Sequence, residues 1–325
     1  MELEERLARI DVEAAARRLA GVVRTTPLAP FDGGDARVEL RLKLECEQET
    51  RSFKARGAWN NVSQLGPRER AAGVIATSSG NHGKALAWAA RRAGVGATIV
   101  MPSDAYPNKI AACREEGAEV LLAPTRAEAE ALCSARVAAG QVLIHPYDAE
   151  RTVEGAGTAA LEIVEEWPEV EVLVVPVGGG GLISGSAIAV KRRLGRRVVV
   201  VGVEPAGAAT LTAGMAARRP VFLEDITTGV QGLCPLSAGA LNVAVALDFV
   251  DHVVTLEDDE IYEAQRALVR AGHIAEPAGA AAYAAVRSRR LPRELHEGRS
   301  ASTPLRVAVI VSGGNPDPAQ LERIR

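Results

Sequence analysis

Two short runs, VLVVPV at 172–177 and VVVVGV at 198–203, are apolar throughout rather than at every second position. A strand with one wet face alternates, because successive side chains point to opposite sides of the sheet. An unbroken apolar run therefore needs cover on both faces, which helices supply when they cross over between parallel strands. The rest of the sequence keeps the matching rhythm: GVIATSSG, GATIVMP, AEVLLAP, RRVVVVGVEP and RVAVIVSGGN are bounded by glycine or proline and alternate with alanine-rich stretches. Helices are expected at Gly83–Arg92, Arg126–Ala139, Gly157–Glu166, Ile183–Leu194 and Asp258–Ala271. The last opens on the acidic EDDE, which suits the positive end of a helix dipole. The expected fold is α/β, with open, mainly parallel sheets and helices on both faces.

A chain of 325 residues exceeds what one core usually organises, so two lobes sharing a cleft are expected. The 38 basic and 41 acidic residues nearly cancel, and pairs such as Arg91-Arg92 and Arg192-Arg193 are short and separated. That argues against nucleic acid or an anionic membrane as the main partner. Cys46, Cys113, Cys133 and Cys234 are widely spaced, without a CxxC pair, which suggests neither a zinc site nor a disulfide framework. The N-terminus MELEERLARIDVEAAARRLAG lacks the apolar centre of a secretory signal. Nor does any stretch approach the ~20 apolar residues of a membrane helix. A cytoplasmic protein acting on a small molecule is expected.

Four segments carry chemistry. In Ser52-Phe53-Lys54-Ala55-Arg56-Gly57-Ala58, Lys54 stands beside Phe53 and ahead of Ala58-Trp59. A lysine is usually a solvated surface residue, but partial desolvation there would lower its pKa and make the amine a nucleophile for an aldehyde. In Ser78-Ser79-Gly80-Asn81-His82-Gly83, a strand end opens into a helix, aiming backbone N–H groups and a helix dipole at one point. That point suits a carboxylate; plain helix capping by Ser or Asn is the alternative. Gly178-Gly179-Gly180-Gly181-Leu182, again between strand and helix, lets amides crowd around a phosphate, or is simply a flexible loop. Ser312-Gly313-Gly314-Asn315 follows the terminal strand, where open α/β sheets bind ligands, and alone it would be a turn.

One competing reading comes from the third segment. Gly179-x-Gly181-x-x-Ser184, followed by a second strand and Glu204, is similar to a dinucleotide fingerprint, with serine at the third glycine position. It would make the chain an NAD(P)-dependent oxidoreductase.

SFKARGA, SSGNHG, GGGGL and SGGN, in this order and spanning almost the whole chain, resemble the fold-type II pyridoxal-phosphate (PLP) enzymes, specifically the serine/threonine dehydratase and serine racemase branch. RTTPL near Thr25, HPYD from His145, EGAGTAALEI from Glu154, VGVEP from Val201 and EPAGA from Glu276 add to the match. The resemblance implies that Lys54 carries PLP, with Phe53 near the ring, Asn81 on the ring hydroxyl and Ser312 facing the pyridine nitrogen. Gly178, Gly179, Gly180, Gly181 and Leu182 would hold the phosphate through their N–H groups. Ser78, Ser79, Gly80, Asn81 and His82 would clamp the substrate carboxylate. A neutral hydroxyl at the ring nitrogen favours β-elimination over transamination. The implied reaction removes water from a β-hydroxy amino acid such as L-serine, L-threonine or 3-hydroxyaspartate and releases a 2-oxo acid and ammonia. Ser79 matches the position that, in racemising members, faces the α-carbon opposite the lysine, so an amino acid racemase is the alternative. A β-replacement synthase and an idle PLP-binding protein are further alternatives.

The resemblance also implies a small domain at 44–145, a large domain from 1–43 plus 146–325, and a homodimer. Arg51, where many members have a small or neutral residue, is either a solvated surface side chain or a receptor for a second carboxylate. Ile226-Thr227-Thr228-Gly229-Val230 replaces the acidic-glycine stretch usual in threonine dehydratases. Glu204 and the Ala208 carbonyl match a divalent-cation position, for Mg²⁺ or Ca²⁺, with Thr210 in place of the acidic ligand. Only ten residues follow Asn315, so feedback through a C-terminal regulatory domain is not expected.

Overall fold

A computed structural model describes residues 3–324. In chain order its strands are β1 (Leu28–Phe31), β2 (Val38–Lys43), β3 (Val74–Thr77), β4 (Ala97–Pro102), β5 (Glu119–Ala123), β6 (Val142–Leu143), β7 (Val172–Pro176), β8 (Val199–Pro205), β9 (His252–Leu256) and β10 (Leu305–Ile310). Six of them form one sheet in the order β1-β2-β10-β7-β8-β9, and four form another in the order β5-β4-β3-β6. Every pairing is parallel except β1 with β2 at one edge. The α/β expectation holds.

Burial explains the central strands. All five residues of β7 are buried, as the unbroken VLVVP run requires, with apolar side chains packed on both sheet faces. Leu173 and Val175 enter one cluster with the helices Glu150–Glu166 and Gly181–Leu194, while Val172 and Val174 enter another with Pro277–Arg287. No helix among the described residues is long and apolar enough to cross a membrane.

The helix expected from Gly157 begins seven residues earlier, at Glu150. Gly155 and Gly157 lie inside it as points of close approach rather than as a boundary. A Cβ on Gly155 would stand 2.6 Å from the Arg56 carbonyl, and one on Gly157 would stand 2.5 Å from that of Gly185. One helix thus touches, backbone to backbone, both Lys54–Val62 and Gly181–Leu194. The lysine segment and the glycine loop are mounted on a common rod.

A buried ion network fixes the lysine helix from below. Arg56, fully buried, donates to Glu45 Oε2 at 2.8 Å, to Glu162 Oε1 at 2.6 Å and to Thr158 Oγ1 at 3.0 Å. Lys43, also fully buried, lies 2.6 Å from Glu162. Burial works against ionising Glu45, but the adjacent Arg56 guanidinium and its hydrogen bonds hold that carboxyl below its ordinary value. Two cations and two carboxylates satisfy one another here, an arrangement that tolerates no missing member.

Candidate active site

The four motif segments converge at the carboxyl ends of β3, β7 and β10, where open parallel sheets form their crevice. The joint between Lys54 and the C-terminal turn is backbone pairing: Ser52 bridges Gly313, the Phe53 amide donates to Ser312 O at 3.0 Å, and Gly314 donates to Arg51 O at 2.8 Å. Residues some 260 positions apart in sequence are thereby held in register.

Lys54 opens the helix Lys54–Val62. Its Nζ donates to Pro146 O at 2.6 Å and stands 4.9 Å from the centroid of the Phe53 ring. No carboxylate pairs with it among the described residues. The side chain is open to the crevice on one side but enclosed by protein, and this desolvation lowers its pKa from 10.5 to about 8. Desolvation of this kind is the physical condition under which a lysine amine becomes a nucleophile.

Asn81 begins the helix Asn81–Ala93. Its Nδ2 donates to the Glu276 carboxylate, and its Oδ1 accepts from Asn315 Nδ2 at 2.8 Å. Glu276 is buried, which pushes its carboxyl up. His82 is buried with Nε2 at 2.8 Å from Ile144 O, and burial takes its pKa down to about 3, so it is neutral. A neutral ring facing a carbonyl is the donor there. Ser78 Oγ accepts from Gly83 N at 3.1 Å and Gly80 N at 3.3 Å. Of the residues expected to clamp a carboxylate, Ser78 and the Gly80 amide are engaged in the turn, while the amides of Ser79, Asn81 and His82 have no hydrogen-bond partner among the described residues. Ser79 itself is exposed.

The glycine loop is built to turn amides inward. Gly178 O accepts from Thr210 Oγ1 at 3.4 Å, and Gly179 O accepts from Asn242 Nδ2 at 2.7 Å and Gly239 N at 3.1 Å. In a planar trans peptide the N–H points opposite the C=O. Holding these two carbonyls outward therefore aims the Gly179 and Gly180 amides the other way, at the start of the helix Gly181–Leu194. Gly180 needs its φ of +93°, and a Cβ on Gly179 would overlap the Tyr147 ring. The result is an anion nest at a helix N-terminus. Leu182 is buried in the first turn, and Ser312 is buried with Oγ 3.3 Å from Ala278 O.

Two peripheral residues, Glu204 and Arg51, have structural partners of their own. Glu204 is fully buried; its Oε1 accepts from Leu211 N at 2.7 Å and its Oε2 from Thr212 N at 2.9 Å and Thr212 Oγ1 at 2.7 Å. The carboxylate caps the helix Thr210–Ala217, so it is not free for a nucleotide ribose as the dinucleotide reading requires. For Mg²⁺ or Ca²⁺ the fit is equally poor. Glu204 would be a lone carboxylate beside Ala208, and among the described residues no group of three or more His, Cys, Asp or Glu is assembled for a metal. Arg51 is exposed, in a left-handed conformation at φ +60°, with Nε donating to Gly314 O at 2.9 Å. It braces the C-terminal turn, and its terminal nitrogens remain open.

Sequence reasoning missed the Pro146 carbonyl, Asn242, and the contacts of Asn315 with Lys84 and Lys109. Only HPYD and SGGN, already noted as motifs, pointed toward any of them.

A family model described as "Pyridoxal-phosphate dependent enzyme" matches residues 19–313. The chain is 38% identical over 323 residues to an L-threonine ammonia-lyase of Thermotoga maritima, covering 97% of this chain and 77% of that protein. It is 34% identical over 311 residues to a serine racemase of Oryza sativa subsp. indica, covering 94% and 90%. The structure of maize serine racemase superposes with a TM-score of 0.88 at 33% identity, covering 96% of this chain and 94% of that one.

Proposed function

Because this chain belongs to the pyridoxal-phosphate-dependent enzyme family, we propose that it is a lyase that deaminates a β-hydroxy amino acid of the L-threonine or L-serine type, or 3-hydroxyaspartate, to a 2-oxo acid and ammonia. Lys54 is the residue that carries the cofactor in this reading. The observation that supports it most is the Lys54 amine: enclosed, without a carboxylate partner, and lowered to about 8.

The residues present fit the cofactor. The inward amides of Gly179 and Gly180 suit a phosphate, Asn81 Nδ2 keeps one N–H beyond its bond to Glu276, and the Phe53 ring lies beside Lys54. When bound, pyridoxal phosphate supplies the electron sink that makes an amino acid's α-proton removable. Lys54 Nζ is the base that takes that proton, and desolvation, by lowering its pKa, raises the neutral share of the amine near neutral pH. The amides of Ser79, Asn81 and His82, at the positive end of the helix Asn81–Ala93, orient the substrate carboxylate. Ser312 offers a neutral hydroxyl where a carboxylate would favour transamination.

A second reading, racemisation, is favoured by the exposed Ser79 hydroxyl on the same loop. In either reading the lobes 44–145 and 1–43 with 146–325 close on the substrate to exclude water, and the chain works as a homodimer. The two-lobe division is supported by the sheets: the four-stranded one lies within 74–143 and the six-stranded one outside it.

The test is the visible absorbance of the purified protein with pyridoxal phosphate, before and after L-serine, L-threonine and 3-hydroxyaspartate, with Lys54→Ala as control. Oxo acid release and D-amino acid formation are followed in parallel. A Lys54-dependent band with oxo acid from one substrate supports the lyase reading, and D-isomer without oxo acid supports the racemase. No band at all sinks both.

A further inference from the structure

A carboxamide is an asymmetric group: one end donates, the other accepts, and the end that faces a ligand decides whether negative charge there is stabilised. For Asn81 the choice is made by neighbours outside the motif. Lys84 Nζ lies 3.2 Å from Asn315 Oδ1, and an ammonium can only donate. Asn315 Nδ2 lies 2.9 Å from Thr50 O, and a carbonyl can only accept. Lys109 Nζ donates to Asn315 O at 2.8 Å and anchors its backbone. With both ends of the Asn315 amide so determined, its Nδ2 must be the donor to Asn81 Oδ1 at 2.8 Å. That consumes the acceptor end of Asn81 and leaves Nδ2, with one N–H on Glu276 and one to spare.

We propose that Lys84 and Asn315 are positioning residues: through the relay Lys84 to Asn315 to Asn81, they compel Asn81 to present only an N–H donor to the cofactor's ring oxygen. This rests on the reading above, in which Asn81 meets that oxygen. Successive hydrogen bonds that begin at a cation polarise one another in the same sense, so the relay also strengthens the last donor. A small crevice of about 100 Å³ lined by Gly80, Asn81, Lys84, Lys109 and Asn315 adjoins the relay. Lys84 thus acts on the ring oxygen only through the hydrogen bonds of Asn315 and Asn81, and neither lysine needs to touch the cofactor.

The experiment uses the full chain loaded with pyridoxal phosphate and reads two quantities at neutral pH: the ratio of visible to near-ultraviolet cofactor absorbance, and cofactor affinity by fluorescence titration. Lys84→Met removes the obligate donor. Asn315→Asp, nearly the same shape, still accepts from Lys84 but cannot donate to Asn81. Lys84→Arg restores a cationic donor. The expected result is a lowered absorbance ratio and roughly tenfold weaker cofactor binding in Lys84→Met and Asn315→Asp, with Lys84→Arg close to the parent. A ratio unchanged in either loss variant, or Lys84→Arg failing as fully as Lys84→Met, overturns the relay while the parent band stands. A parent without a Lys54-dependent band overturns the functional reading itself and takes the relay with it.

Discussion

Lys54 Nζ donates to the carbonyl oxygen of Pro146 across 2.6 Å, and this bond neutralises no charge. An ammonium so placed is a cost to the folded chain, and the first two expectations below follow from charges enclosed in this way.

The first concerns stability against pH. Lys54 titrates near 8 in the folded chain and at 10.5 when unfolded. Below pH 8 both states hold the proton, and the cost is constant. Between those values the unfolded chain holds more protons than the folded one, so stability rises with pH. Urea unfolding of cofactor-free protein should show a gain of at most about 3 kcal/mol between pH 8 and 10.5 that Lys54→Met lacks. Identical pH profiles for the two proteins would contradict the desolvated amine.

Removing Arg56 leaves the buried Glu45 and the partly buried Glu162 without their main counter-charge. Arg56→Met should destabilise the chain by about 3–5 kcal/mol in guanidinium unfolding. The double variant Arg56→Met with Glu45→Met should recover part of that loss, and strict additivity would mean that the two do not form a unit.

At the glycine loop, Gly180→Ala forces a methyl group into a backbone at φ +93° and to 2.7 Å from Asn242 Cβ. Cofactor affinity should fall at least about tenfold, because a shifted Gly179–Gly180 peptide no longer aims its amide inward. Gly94→Ala is the control, since Gly94 also has positive φ, +65°, but meets nothing within 4 Å. Equal binding losses in both variants would point to general strain rather than to the nest.

Ser312→Asp puts a carboxylate where the hydroxyl now donates to Ala278 O. Ammonia release from a β-hydroxy substrate should fall about tenfold or more relative to amino-group transfer, measured as pyridoxamine phosphate formed per turnover. An unaltered partition would detach Ser312 from the ring nitrogen.

Much of this architecture can be read from local pattern, and the exceptions share a cause. β7, β8 and β10 announce themselves because burial of all or nearly all their residues leaves long apolar runs, broken only by Glu204 in β8 and Arg306 in β10. β2 does not: its sequence VELRLK looks like surface, yet Lys43 is fully buried and paired with Glu162. A charge at a core position is legible only once its distant partner is known. Gly155 and Gly157 mimic a helix boundary for the same reason, as the backbones they admit belong to Arg56 and Gly185. In the site, SFK, SSGNHG, GGGG and SGGN are contiguous and stand out. Asn242 and Lys84 act across 63 and 231 positions of chain, and no local window contains both ends.

β10 lies between β2 and β7 in the larger sheet, so the strand made last is the one that joins the two halves. While a ribosome is still translating the region before Leu305, the β1–β2 hairpin and the β7–β8–β9 group have no strand to connect them, and the partner of Ser52 and Phe53 does not yet exist. The smaller sheet, complete by Leu143, is free to form much earlier. The larger sheet, and with it the pairing of Ser52 with Gly313, can therefore be completed only after Leu305–Ile310 has been made.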